Sequence, residues 1–233
     1  MANNQWYIGM TEDAIRQRVV DTALAYLGVR EGTAEHKGIV NLYNSQSKPP
    51  RGYLLKDTDA WCAAFASVVG IVLGISHIIL PECSCGKMIE LYKAAGRWEE
   101  RDDYVPRPGD LVMYDWQAQS GECTGAPDHV GLVEKVEGKT ITVIEGNYDN
   151  RVKRRDICVE YIKVRGYCLP DYAGLVQRFA DVDPDAWYAE AINEAARLGI
   201  VEGTGGGKFE PERAVTRGEV AAMVMRLYGL IHN

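Results

Sequence analysis

The hydrophobic period of this 233-residue chain changes at Pro106 and Pro108. Upstream of them, apolar residues recur at helical spacing. Downstream they gather in short runs bounded by turn residues, as strands require. Thr11 to Leu27 reads as a helix, with Ala14, Val19, Ala23, Leu24 and Leu27 on one face, Glu12 and Asp13 in the first turn and Gly28 past the end. Residues 29 to 58 read as an irregular polar loop broken by Pro49-Pro50 and Gly52. A mostly apolar helix then opens at Cys62, with Thr58 or Asp59 as its cap, and a further helical segment covers Met88 to Ala95. Past the prolines, Leu111–Tyr114, Val130–Val136 and Thr140–Glu145 read as strands, the last two joined by a hairpin turn at Glu137-Gly138-Lys139. Val152–Arg155 and Val164–Cys168 read as added edge strands. Helices first and antiparallel strands second give an α+β domain.

A boundary is expected near Gly174 to Arg178, dividing the chain into domains 1–174 and 178–233. The second reads as a small all-α unit of two helices. Trp187, Ala191, Ile192, Ala195 and Leu198 form the apolar face of the first, with Pro184 at its start and Gly199 at its end. Thr216-Arg217-Gly218-Glu219 is a capping box for the second, on which Val220, Met223, Val224 and Leu227 are expected to face inward. The glycine-rich run Gly203–Gly207 lacks the Lys-Ser/Thr ending of a phosphate loop.

A net charge of −7 argues against nucleic acid as a partner, and no apolar run is long enough to span a membrane. The stretch from Met1 to Trp6 lacks the basic-then-apolar order of a secretory signal, so the expectation is a chain made in the cytoplasm. Six cysteines, Cys62, Cys83, Cys85, Cys123, Cys158 and Cys168, are then expected as free thiols. Cys83-Ser84-Cys85 is too closely spaced for a zinc knuckle, and Asp57 with Asp59 supplies too few carboxylates for a calcium site, so no metal is expected.

Cys62 is the chemically interesting thiol. The N–H groups and partial positive charge of a helix N-terminus favour thiolate over thiol, although a cysteine in an apolar helix is more often a small hydrophobe. A nucleophile also needs a base. Of the four histidines, His232 is next to the C-terminus, His36 lies in the polar loop, and His77 sits beyond the wrong end of the Cys62 helix. His129 begins a strand after the turn Gly125–Asp128. Antiparallel pairing returns the end of the next strand, Glu145-Gly146-Asn147, to the neighbourhood of His129. A carboxylate there would orient an imidazole and stabilise its protonated form. The plainer reading is an edge histidine beside a solvated glutamate.

Four segments together, Trp61–Phe65, Arg107–Val112, Asp128–Glu134 and Ile144–Asn147, resemble the CHAP family of cysteine- and histidine-dependent amidohydrolases/peptidases, over about residues 10 to 172. The resemblance implies a papain-like fold and peptidoglycan hydrolysis, as an N-acetylmuramoyl-L-alanine amidase or a peptide endopeptidase of the endolysin kind. It implies Cys62 as nucleophile, His129 as base, Glu145 as the residue orienting that base and Asn147 as a further polar site residue, with no cofactor. Phe179-Ala180-Asp181-Val182, Trp187-Tyr188, Phe209-Glu210-Pro211 and Thr216–Glu219 resemble one S-layer homology repeat, with Gly218 in place of the usual Ala. That implies a hold on secondary cell-wall polysaccharide through Trp187 and Arg217. For these two the alternatives are a core tryptophan and a plain surface arginine. The family strings three repeats together and this chain has one, so association of three chains through the tail is expected. Two other outcomes are open: a catalytically inactive wall-binding protein, and acyl transfer in place of hydrolysis.

Overall fold

A computed structural model describes residues 6–7, 10–100, 103–119, 125–176, 178–184 and 186–232. Cys123 lies outside them, and the other five cysteines are free thiols. The chain falls into two compact units, Arg16–Asp171 on the one hand and Met1–Ile15 with Tyr172–Asn233 on the other.

Helix α1 (Glu12–Leu24) carries two acidic residues in its first turn, and from Arg16 on it belongs to the larger unit. Its Arg16 donates to Asp110 Oδ1 at 2.9 Å and to the Pro108 carbonyl at 2.8 Å. Asp110 is itself buried and also accepts from the Tyr104 hydroxyl and the Arg107 N–H, both at 2.9 Å. The Arg-Pro-Gly-Asp turn is thus a charge-assisted junction between helix and sheet.

The expected loop over 29–58 needs correcting, because it contains α2 (Ala34–Asn44). Thr33 caps α2, and Ile39, Val40 and Tyr43 are buried with His36. The prolines and glycine that suggested a loop all follow this helix, whose apolar stripe is only a few residues long. After it, Pro50–Gly52 forms a single 3-10 turn.

Helix α3 (Cys62–Val72) is buried from Cys62 through Gly70. Neither Thr58 nor Asp59 caps it. Trp61 occupies the cap position without a side-chain capping hydrogen bond, while Asp59 Oδ2 accepts from the Tyr53 hydroxyl and the Lys56 N–H at 2.8 Å each. Helix α4 (Cys85–Ala94) is capped by Ser84.

The sheet comprises β1 (Trp98–Glu99), β2 (Leu111–Tyr114), β3 (His129–Glu137), β4 (Thr140–Glu145), β5 (Lys153–Cys158) and β6 (Val164–Cys168). Its order is β1-β6-β2-β3-β4-β5 and every pairing is antiparallel. Strand β5 is an edge, as expected. Strand β6 is not: it lies between β1 and β2, and its buried Tyr167 and Cys168 reflect that interior place. The two-residue β1 is too short to leave a period-2 signal.

Two glycines leave room that a side chain would fill, Gly146 against α3 and Gly131 against side chains of β4. A Cβ on Gly146, just past β4, would lie 2.6 to 2.8 Å from Cβ, Cγ and Cδ1 of Phe65 on α3. A Cβ on Gly131 of β3 would fall 2.4 Å from Val143 Cγ1 and 2.7 Å from Glu145 Cγ. Gly146→Ala is therefore expected to destabilise the unit by about 1–3 kcal/mol through overpacking. Urea unfolding followed by tryptophan fluorescence checks it, and an unchanged midpoint would contradict this contact.

The smaller unit has its core at Phe179, Val182, Ala189 and Ile192, with Tyr188, Ala196 and Phe209 packed around it. Asp181 ties its two ends together, accepting from the Phe209 and Glu210 N–H groups at 2.8 Å each. Helix α5 (Ala189–Arg197) begins later than expected, and Trp187 lies ahead of it, 92% exposed. Trp187 is therefore no part of an apolar helix face. Helix α6 (Arg217–His232) has the expected capping box: the Glu219 N–H donates to Thr216 Oγ1 at 3.2 Å and the Thr216 N–H donates to Glu219 Oε2 at 2.7 Å. The inward face expected on this helix is corrected as well, since no residue of α6 is buried and Val220, Val224 and Leu227 are exposed. Its apolar residues run all round the helix, and the four-residue core of this unit cannot cover them.

Candidate functional site

Cys62 is the first residue of α3, so its position follows from where that helix starts. Trp61 anchors the start. It is fully buried, its Nε1 donates to Glu31 Oε2 at 3.2 Å, and its ring lies 4.9 Å from the ring of His36. From the sequence His36 is expected in a polar loop. It is instead a buried residue of α2 whose Nδ1 accepts from the Gly32 N–H.

His129 is the first residue of β3, and β3 is an element on which α3 packs. It pairs with Tyr114 in the sheet register. Its ring is set among those of Tyr114, Trp116 and Tyr148, at 5.9, 5.7 and 6.0 Å between centroids. Trp116 is stacked on Tyr114, and its N–H donates to Asp128 Oδ2 at 2.7 Å. His129 is 6% exposed, and among the described residues no group bonds its buried Nε2.

The surroundings of Cys62 favour its thiolate. The Cys85 thiol, with Sγ 3.7 Å away, is the largest influence. With the neighbouring His129 and the Ala63 N–H it outweighs burial and holds the Cys62 thiol well below the usual range. Hydrogen bonding to that sulfur, then burial, pushes Cys85 well above it. The two opposed shifts favour Cys62 as the acceptor of this contact and Cys85 as its donor.

Glu145 is completely buried at the end of β4, but its carboxylate is not bonded to His129. Arg155 takes both of its oxygens, Nε to Oε2 at 2.9 Å and Nη2 to Oε1 at 2.7 Å. The guanidinium in turn lies over the rings of Tyr114, Trp116 and Tyr148 at 4.7, 5.0 and 5.0 Å. Those are the rings that surround His129. The Glu145–Arg155 pair and the imidazole thus share one set of aromatic neighbours. Asn147 follows Gly146 in a left-handed conformation at φ 58°, half-buried.

Three participants escaped the sequence reading. Cys85 follows the cap Ser84 and so opens a helix as Cys62 does, a signal hidden by reading Cys83-Ser84-Cys85 only as a candidate metal motif. Arg155 pairs with Val143 two positions from Glu145, which puts both on one face of the sheet. The aromatic wall comes from three separate segments and leaves no local pattern. Among the described residues, no three His, Cys, Asp or Glu side chains are grouped to hold a metal ion. In the smaller unit, Trp187 stands exposed with its ring 5.5 Å from that of Tyr188, and Arg217 is the exposed first residue of α6.

A thiol at a helix N-terminus beside an imidazole at a strand start, on an antiparallel sheet, defines a thiol–imidazole site. The family model of the CHAP domain matches residues 55–147, which include Cys62, His129, Glu145 and Asn147. That of the S-layer homology domain matches residues 178–221, which include Trp187 and Arg217. The chain carries a CHAP domain followed by an S-layer homology domain. It is similar to an amylopullulanase of Thermoanaerobacterium thermosulfurigenes, 34% identical over 96 residues, and to the exoglucanase XynX of Acetivibrio thermocellus, 33% identical over 96 residues. Each match covers 41% of this chain, which spans only 5% and 8% of those relatives. Among solved structures, Ly7917 with the hydrolyzing product of MDP is similar at 19% identity and a TM-score of 0.40, covering 66% of this chain and 62% of that one. An NlpC/P60 family protein from Bacillus cereus is similar at 13% identity and a TM-score of 0.38, covering 66% and 40%.

Proposed function

We propose that this protein is a peptidoglycan hydrolase that cleaves an amide bond through the Cys62 thiol. The observation that carries the reading is a thiolate-favouring Cys62 at the N-terminus of α3, beside the His129 imidazole that begins β3 and helps to lower its thiol. In this mechanism the Cys62 sulfur attacks the amide carbonyl carbon, and a backbone N–H at the start of α3 stabilises the oxyanion. His129 gives a proton to the leaving amine, then takes one from the water that releases the acyl group. Glu145, held by Arg155, and Asn147 position the imidazole. No cofactor takes part.

The bond cut is that of an N-acetylmuramoyl-L-alanine amidase or of a peptide endopeptidase. Mass spectrometry of digested peptidoglycan separates the two: new free lactyl carboxylates mark the amidase, and new amino termini within the peptide mark the endopeptidase. Joined peptides in place of either would mean acyl transfer.

For the smaller unit the proposed role is a hold on secondary cell-wall polysaccharide, with Trp187 and Arg217 as contacts. The exposure of Trp187 favours this over a core role. On this reading the functional domains run 1–174 and 178–233, and the protein acts at the bacterial wall. Three chains associate through the tail, a reading supported by the uncovered apolar residues of α6. Light scattering at micromolar concentration tests the association, and a monomer that still binds walls defeats it.

A further inference from the structure

Cys62 and Cys85 come from separate helices and stand at corresponding places, each the first residue of its helix. Their sulfurs are 3.7 Å apart. A disulfide needs about 2.05 Å between sulfurs, so the side chains have only a short distance to close. Both residues are largely buried, with 4% and 8% exposure. The other thiols are placed differently. Cys83 faces Arg51, whose Nη2 lies 3.6 Å from its sulfur, and Cys168 is fully buried in β6.

We propose that Cys62 and Cys85 form a reversible disulfide, an oxidation switch that closes the thiol–imidazole site. The formation of the bond rests on this geometry alone, while its effect on activity rests on the function proposed above. With a peroxide as oxidant, the Cys62 thiolate attacks one peroxide oxygen. The O–O bond breaks, leaving Cys62 as sulfenic acid and releasing hydroxide. The Cys85 thiol then gives up its proton and its sulfur attacks the Cys62 sulfur, displacing a second hydroxide. The two hydroxides take up the two thiol protons. In sum, two thiols are oxidised to a disulfide while one peroxide is reduced to two waters. The second step is favoured by the first: the charge and hydrogen bonding of the Cys62 thiolate push the Cys85 thiol up, and neutral sulfenic acid removes that influence. Cys85 is in this way the resolving thiol, and it spares Cys62 from irreversible oxidation.

The test is a titration of the reduced full chain with hydrogen peroxide. Intact mass is expected to fall by about 2 Da. The product is then denatured, alkylated and cut by a Glu-specific protease, which separates Cys62 from Cys83 and Cys85 after Glu82. Tandem fragmentation should place the link at Cys62–Cys85, and wall lysis should fall about tenfold or more in step with it and return with dithiothreitol. In Cys85→Ser, excess peroxide should carry Cys62 to a sulfinic acid, about 32 Da heavier, that dithiothreitol does not reverse. A link mapped to any other pair, no link at all, or equal recovery of Cys85→Ser and wild type would overturn the proposal. If the reduced chain lyses no wall while the Cys62–Cys85 link still forms, the disulfide stands and the proposed hydrolase activity fails.

Discussion

Cys62→Ala should reduce lysis of susceptible cell walls by roughly a thousandfold or more, the scale on which loss of a nucleophile acts. His129→Ala should lose a similar amount, and the double variant little beyond either alone, because thiol and imidazole serve one step as a unit. Binding to intact walls should be unchanged in all three, since the contacts proposed for it lie in the other unit. The assay is the fall in turbidity of a wall suspension, with pelleting for binding and a melting curve to show that each variant folds. Removing one sulfur from the buried start of α3 should cost only about 1 kcal/mol of stability, so inactivity cannot be put down to unfolding. Equal lysis by wild type and Cys62→Ala would refute the thiol mechanism. Binding by every form with lysis by none would favour the catalytically inactive wall-binding protein.

What was legible in the sequence was what is local. Strands β2, β3 and β4 follow from short apolar runs and turn chemistry, and Leu111–Tyr114 and Thr140–Glu145 lie where expected. The helix start at Cys62 was legible from the apolar run behind it, but its cap was not. Asp59 is a good capping residue by type, yet it is drawn off by Tyr53 and the Lys56 N–H. Helix α2 was missed because its buried face of four residues falls in a polar, proline-flanked stretch, and the partner that makes His36 a core residue is Trp61, far along the chain. The hairpin argument placed Glu145 on the sheet with His129, and its direct partner could not be read that way. Arg155 comes from the next strand across, beyond the reach of a two-strand argument. In the tail, the opposite error has the same origin. Helical spacing says which residues share a face, and it does not say whether enough of the chain exists to cover that face. For α6 it does not.

The pairing of Glu145 with Arg155 makes a second strong expectation. Arg155→Met keeps most of the side-chain length and the packing among Tyr114, Trp116 and Tyr148, but it removes both donors to a carboxylate with no exposed surface. Breaking a buried pair from one side costs about 3–5 kcal/mol, because the charge left behind is neither solvated nor compensated. The larger unit should therefore unfold at clearly lower urea concentration in Arg155→Met. Glu145→Gln should lose less, since an amide carbonyl can still accept from the guanidinium and Arg155 keeps some contact with water. Removing both charges, in Glu145→Gln with Arg155→Met, should recover part of the loss, which a double-mutant cycle reads directly. Activity separates a purely structural pair from one that positions the imidazole. If the pair holds His129 through the aromatic wall, Glu145→Gln should lower kcat with little change in KM even where the protein remains fully folded. Additive losses with no coupling between the two residues would mean that the fork contributes nothing as a pair, and His129 would then owe its place to the rings alone.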